Sequence, residues 1–184
     1  ESNPDFIEDP ALYRSWRMQA ASEGLRVRVG RWNVPGKPTA ILVDFKQFLT
    51  RQDEILTEFW KRFGVDSLTG NWDYRESALF GYAAGRVIES FWRYNLDSSD
   101  KVVAQFHEWM TGTGLLYLKS VNVPISTVFT THATVIGRCI AGNNLPLYDG
   151  MMNWNADEKA RHFNVVARHS LEKKAAQNSD IFTT

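Results

Sequence analysis

The sequence predicts an α/β domain of three layers, a mostly parallel sheet between two layers of helices. Three observations carry this. Strand-like and helix-like segments alternate along the chain, several strand segments are wholly apolar, and the links between them are short.

The elements read as follows. Positions 10–23 form a helix, with Leu12 and Trp16 one turn apart, stopped by Gly24. "LRVRVGRW" (Leu25–Trp32) alternates apolar and basic residues, as a half-buried edge strand does. "NVPGKP" is a Pro/Gly turn. "TAILVDF" (Thr39–Phe45) is an unbroken apolar run and predicts a strand covered on both faces. Two amphipathic helices follow, at about 47–63 and 75–94, the first carrying Phe48, Ile55, Leu56, Phe59 and Trp60 on its stripe. Then come strand Lys101–Phe106, a helix from about Glu108 to Lys119, strand Pro124–Thr130, and a short helix in "ATVIGRCIAG". A loop leads to one long helix, Ala156–Asn178, opened by a capping box at Asn155 and Glu158. Ile181–Thr183 is the last strand.

Composition narrows the class. A chain of 184 residues suits one domain with a proper core. Lys+Arg and Asp+Glu both number 21, and this zero net charge argues against a nucleic-acid groove or an anionic membrane patch. No apolar run approaches the roughly 18 residues of a membrane span. The single cysteine, Cys139, permits no internal disulfide, fits a reducing compartment, and reads as a buried, inert thiol. The polar start without methionine and the ending on a strand read as a segment of a longer protein.

Ligands of parallel sheets sit at the carboxyl ends of the strands. That directs attention to His107-Glu108, and to Thr131-His132-Ala133-Thr134 after the following strand. A zinc-protease helix needs a second histidine four residues on, but position 111 is threonine. Gly112-Thr113-Gly114 suggests a dinucleotide loop, but the third glycine of that fingerprint falls at Tyr117. Two readings of His107-Glu108 stay open on spacing. In one, Glu108 starts a helix and His107 is a polar strand end; in the other, His107 faces a cleft and hydrogen-bonds a substrate. After "STVFTT", the helix start near His132 offers backbone N–H groups to an anionic or hydroxyl-rich ligand. His162 and His169, two helical turns apart, are too distant to share a metal and read as surface or packing residues. Neither a nucleophile elbow nor a P-loop occurs, and Trp60 and Trp92 sit on helix stripes as core residues do.

Two stretches resemble the eukaryotic-type glycogen synthases. "VVAQFHEW" followed by "FTTHATVIGR" is similar to that family's V-V-A-H-F-H-E-W and F-T-T-H-A-T-L-L-G-R. "NWNADEKA" resembles its N-F-N-V-D-K-E-A, and "VRVGRWNVPGKPTAILVDF" its early strands. The likeness covers about 25–184. It implies a retaining glycosyltransferase that moves glucose from UDP-glucose, or ADP-glucose, to the non-reducing end of an α-1,4-glucan. It implies no metal or other cofactor. The chain would be a partial N-terminal Rossmann-like, acceptor-side domain spanning 1–184, one half of a GT-B enzyme. The first strand with its glycine-rich lysine loop and the C-terminal nucleotide domain would lie elsewhere in the protein.

His107 would be catalytic, lining the donor-glucose pocket. Thr131, His132, Arg138 and Glu108 would bind substrate around the same cleft, although Arg138 on its helix can simply pack or pair. Gln105 stands where the family has a histidine, on the same strand face as His107. A cytoplasmic enzyme, with self-association into a homo-oligomer as an option, completes the expectation. The rival is a non-catalytic glucan-binding module using exposed aromatics.

Overall fold

The computed structural model describes residues 5–121 and 123–184. Two three-stranded sheets organise them. The first is an antiparallel meander of β1 (Phe6–Glu8), β2 (Arg26–Trp32) and β3 (Thr39–Asp44). The second is parallel, in the order β4 (Val102–His107), β5 (Ile125–Thr130) and β6 (Ile181–Thr183). Helices α1 (Arg14–Ser22), α2 (Gln52–Phe63), α3 (Trp72–Asn95), α4 (Gly112–Val121), α5 (Val135–Gly142), α6 (Ala156–His162) and α7 (Val166–Asn178) alternate with or follow the strands.

The parallel sheet is the one the alternating pattern predicts, with α4 as the crossover from β4 to β5. The meander departs from the sequence reading. β2 is central rather than an edge, because β1 pairs along it from Phe6↔Trp32 to Glu8↔Gly30. Three residues are too few to show a period, so β1 leaves little trace in sequence. Gly30 is the exception: a Cβ there would run into the Ile7 carbonyl, so only glycine admits β1 this close. Among the described residues β3 pairs with β2 alone, and Ile41 and Val43 lean on the core while staying partly exposed. Its apolar run carries partial cover on both faces, with Ala40 buried on one and Ile41 and Val43 packed on the core from the other.

The main core is continuous from the meander to the parallel sheet. Trp16 of α1 is fully buried and donates its indole N–H to Ser90 Oγ of α3 at 3.2 Å. Ile55, Leu56 and Phe59 of α2, Leu79, Ala83 and Val87 of α3, Leu115, Leu116 and Leu118 of α4, and Phe106 and Phe129 of the parallel strands complete it. Trp92 joins this core at its margin, but Trp60 is 54% exposed, contrary to its stripe position.

The Gly112-Thr113-Gly114 stretch finds its explanation here. α4 crosses α3 so tightly that a Cβ on Gly114 would lie 2.6 Å from the Gly81 carbonyl oxygen and 2.8 Å from the Phe106 ring. A Cβ on Gly85 would in turn lie 2.8 Å from the Gly114 carbonyl oxygen. Thr113, fully buried, donates its hydroxyl to the Ala78 carbonyl at 2.6 Å. The glycines let two helix backbones touch.

The long helix foreseen over 156–178 is two helices. Asn164 adopts φ +55° and turns the chain between α6 and α7. Asparagine enters the left-handed region more readily than other side chains, so the break needs neither glycine nor proline. Phe163, Val165 and Val166 then pack on a second small core with Ile136, Ile140 and Ala160. Of the predicted capping box the N-cap half forms: Asn155 Oδ1 accepts from the Glu158 N–H at 3.1 Å. His169, brought back toward α6, lies 2.8 Å from Asp157 Oδ1, and Lys173 pairs with the same carboxylate. Among the described residues, no helix is long and apolar enough to cross a membrane.

Candidate functional site

Parallel pairing sets the site. His107 stands opposite Thr130 in the register of β4 and β5, so the two carboxyl ends emerge side by side. Alternation along β4 buries Ala104 and Phe106 and turns Gln105 and His107 to the exposed face. Gln105 donates to Thr130 Oγ1 at 3.0 Å, and Thr130 Oγ1 meets Thr183 Oγ1 at 2.7 Å. A line of polar side chains thus crosses all three parallel strands just below the histidine.

His107 and His132 form a pair. Nδ1 of His107 lies 3.2 Å from Nε2 of His132, and the two exposed rings meet edge to edge with their planes nearly parallel, 5.5 Å between centroids. One imidazole N–H therefore donates to the other ring's lone pair. Each ring has a second nitrogen that is chemically able to bond a hydroxyl group.

Glu108 braces the pair. Its carboxylate accepts from the His132 backbone N–H at 2.9 Å and lies 3.8 Å from the Arg138 guanidinium. It does not open α4, as a helix-start reading has it. It has φ +62° and ψ 164° and precedes a single 3-10 turn, Trp109–Thr111. This backbone region is essentially a glycine preserve, and a side chain there stores on the order of 1–3 kcal/mol. Local contacts hold it in place. The Glu108 N–H donates to the Thr130 carbonyl at 2.8 Å, and the Thr111 hydroxyl donates to the His107 and Glu108 carbonyls at 2.8 and 3.2 Å. Trp109 adds packing, stacked on Tyr74 at 6.0 Å and capped by the Arg168 guanidinium at 5.3 Å. Burial pushes the Tyr74 phenol up to about 12.

The remaining corner residues divide. His132 and Arg138 are exposed, Arg138 also donating from Nε to the Ala133 carbonyl at 3.2 Å. Thr131 points inward: it is 1% exposed, and its hydroxyl contacts Glu172 Oε1 at 3.4 Å. The start of α5, offered by the sequence as a cradle for an anionic or hydroxyl-rich ligand, already holds a carboxyl group of the chain itself. Glu172 of α7 accepts from the Val135 N–H at 3.0 and 3.2 Å, while Thr134 Oγ1 accepts from the Gly137 N–H. Burial raises the Glu172 carboxyl above its usual range, opposed by those N–H and O–H donors. Neither Glu172 nor Thr111 could be found from spacing. Glu172 sits in "HSLEKK", which reads as a solvated helix face.

Cys139 is half-buried beside this corner, and desolvation raises its thiol above the ordinary value, which suits an unreactive side chain. His162 and His169 lie on α6 and α7, outside the pair. Among the described residues no group of three or more His, Cys, Asp or Glu side chains is arranged to hold a metal ion.

Comparison of the sequence with known proteins identifies its family. The sequence profile of the family described as "Glycogen synthase" matches residues 7–184. The chain is 36% identical over 161 residues to the glycogen [starch] synthase of Dictyostelium discoideum, covering 88% of this chain and 18% of that protein. It is 31% identical over 163 residues to the liver glycogen [starch] synthase of Rattus norvegicus, covering 88% and 23%. To isoform 2 of Saccharomyces cerevisiae it is 30% identical over 164 residues, covering 89% and 23%. The chain therefore spans about a fifth of the length of the curated relatives it matches. With the profile running across almost all 184 residues, the chain belongs to the glycogen synthase family.

Proposed function

We propose that this chain is part of a retaining glucosyltransferase that moves glucose from a sugar nucleotide to the non-reducing end of an α-1,4-glucan. UDP-glucose is the donor we favour, with ADP-glucose as the alternative to be compared directly. Residues 1–184 are then part of the N-terminal, acceptor-side Rossmann-like domain of a cytoplasmic GT-B enzyme. The observation that carries the reading is the His107–His132 pair at the adjoining ends of β4 and β5. Such a transferase must stabilise a departing diphosphate and an oxocarbenium-like sugar. His107 is the residue we assign to the reacting sugar, as a hydrogen-bond partner of a ring hydroxyl. His132 and Arg138 line the same rim. Glu108 and Thr131 act behind them, since their polar atoms are engaged with the chain itself.

In the full-length enzyme, His107→Ala is expected to lower kcat by at least about 100-fold, the scale of losing a general acid–base or electrostatic group. Its affinity for glucan should stay within a few-fold. Radiolabel transfer from UDP-glucose to glycogen measures the first, and co-sedimentation the second. An unchanged kcat removes His107 from the chemistry. The purified 184-residue chain alone is expected to show no transfer, and turnover by it overturns the partial-site reading.

One observation favours a second role. Trp60 is 54% exposed at a groove of about 520 Å³ that also carries Asp53, Thr57, Leu68 and Arg75. An aromatic face beside fixed polar groups suits a glucan chain held without catalysis. Glycogen co-sedimentation lost in Trp60→Ala and kept in His107→Ala supports this role. Retention in Trp60→Ala removes it.

A further inference from the structure

Glu172 is 6% exposed and forms no ion pair among the described residues. A carboxylate stripped of water without a cation is costly unless its environment compensates. Here the compensation comes chiefly from two places, with the Arg138 charge a smaller contribution. The first turn of α5 supplies the Val135 N–H, at 3.0 Å from Oε2 and 3.2 Å from Oε1, together with the positive end of the helix. The Thr131 hydroxyl supplies a weaker contact at 3.4 Å. These two residues flank His132 on either side. The main chain of His132 is gripped separately by Glu108, which accepts its N–H at 2.9 Å. Thr131 is also tied through its own N–H to the Thr183 carbonyl at 3.0 Å, at the end of β6. The segment that presents His132 is thus pinned from the front by one carboxylate and from behind by another, and the rear one belongs to a different helix.

We propose that Glu172 is a positioning residue for the histidine pair: its carboxylate locks the turn between β5 and α5 so that His132 Nε2 stays in hydrogen-bond contact with His107 Nδ1. The proposal rests on the transferase reading only for its kinetic consequence. Its structural half concerns this chain alone. Loss of the lock leaves His107 in place, because β4, Thr111 and Trp109 hold it, and loosens His132, whose main chain is then held at Glu108 alone of the two carboxylates. Without the second ring, the His107 ring loses the partner that selects its tautomer.

Two measurements test this separately. In the 184-residue chain, long-range proton–nitrogen correlation spectra report which ring nitrogen of each histidine carries the proton. The wild-type chain is expected to show complementary, fixed tautomers for His107 and His132. Glu172→Gln, which keeps the shape and one acceptor, should average the His132 tautomers, and Glu172→Asp, shorter by one methylene, should do so too. Thr131→Val removes one arm of the lock without touching the carboxylate and should give a partial effect; it serves as the second variant if Glu172→Gln does not fold. Fixed, wild-type-like tautomers in a folded Glu172→Gln or Thr131→Val chain overturn the proposal.

In the full-length enzyme, Glu172→Gln is expected to lower kcat about tenfold with KM for glucan within twofold. Adding His132→Ala to Glu172→Gln should lower kcat no further than His132→Ala alone, because both remove the same contact. Multiplicative losses overturn the proposal. If the full-length wild type transfers no glucose, the transferase reading fails while the tautomer experiment still decides the role of Glu172.

Discussion

Replacing Gly114 by alanine adds one methyl group at the tightest point of the α3–α4 crossing. The new Cβ would stand 2.6 Å from the Gly81 carbonyl oxygen and 2.8 Å from a carbon of the Phe106 ring. To reach the ordinary range near 3.5 Å, the carbon–oxygen contact needs about 0.9 Å more and the carbon–carbon contact about 0.7 Å more. The oxygen belongs to a helix backbone and the ring to a buried strand residue, so neither can swing aside as a surface side chain can. Overpacking of this kind costs about 1–3 kcal/mol, and two rigid neighbours put it at the upper end. Alanine returns up to about 1 kcal/mol through its better helix propensity. The expected net loss is about 2 kcal/mol, or a Tm about 4–8 °C lower for a chain of this size. Circular dichroism melts of the purified chain measure it. Gly142→Ala is the control: nothing lies within 4 Å of a Cβ there, so the same propensity gain acts without the clash and the protein should be unchanged or slightly more stable. A Gly114→Ala chain as stable as wild type would refute the close-crossing argument.

Three further outcomes are expected. Asp180 accepts from Lys119 Nζ, the Thr127 N–H and the Thr127 hydroxyl, and these hold its carboxyl down at about 2. Because the folded value lies below the unfolded one, its contribution is full above about pH 4 and fades as pH falls toward 2. For a carboxylate 47% exposed it amounts to about 1 kcal/mol after solvent screening. Urea titrations should show wild type and Asp180→Asn converging across that range, and a constant gap would contradict it. Thr113→Val removes the buried hydroxyl that satisfies the Ala78 carbonyl and should lower unfolding free energy by about 1–2 kcal/mol, with no loss counting against the bond. Cys139, its thiol raised by burial, should react with a disulfide reagent several-fold slower in the native chain than in urea, and equal rates would show it to be accessible and ionisable.

The parallel sheet and the pair of strand ends were legible because both depend on local patterns. Apolar strands, short links and the positions of His107 and His132 just past β4 and β5 are all written within a few residues of each other. What sequence concealed depends on distant contacts. Glu172 reaches Val135 across 37 residues, from a helix segment whose charges suggest a solvated face. The conformation of Glu108 depends on Thr130 and Thr111 closing around it. β1 is too short to carry a period, and the hinge at Asn164 lacks the glycine or proline that would advertise it. Trp60 shows the converse. Its helical spacing matches the core stripe, yet the ring is 54% exposed at the rim of the groove it shares with Leu68 and Arg75.

Position 108 answers to two masters. Its main chain asks for glycine, the one residue that relaxes at φ +62° and ψ 164°, while its side chain asks for a carboxylate long enough to reach the His132 N–H. No amino acid supplies both. Alanine or asparagine would keep the tension and lose the tether; glycine would ease the tension and lose it too. Random mutation at this codon therefore has no downhill exit, and a search for more stable variants of the protein that admits glycine here would be expected to trade the alignment of the two imidazoles for a higher melting temperature.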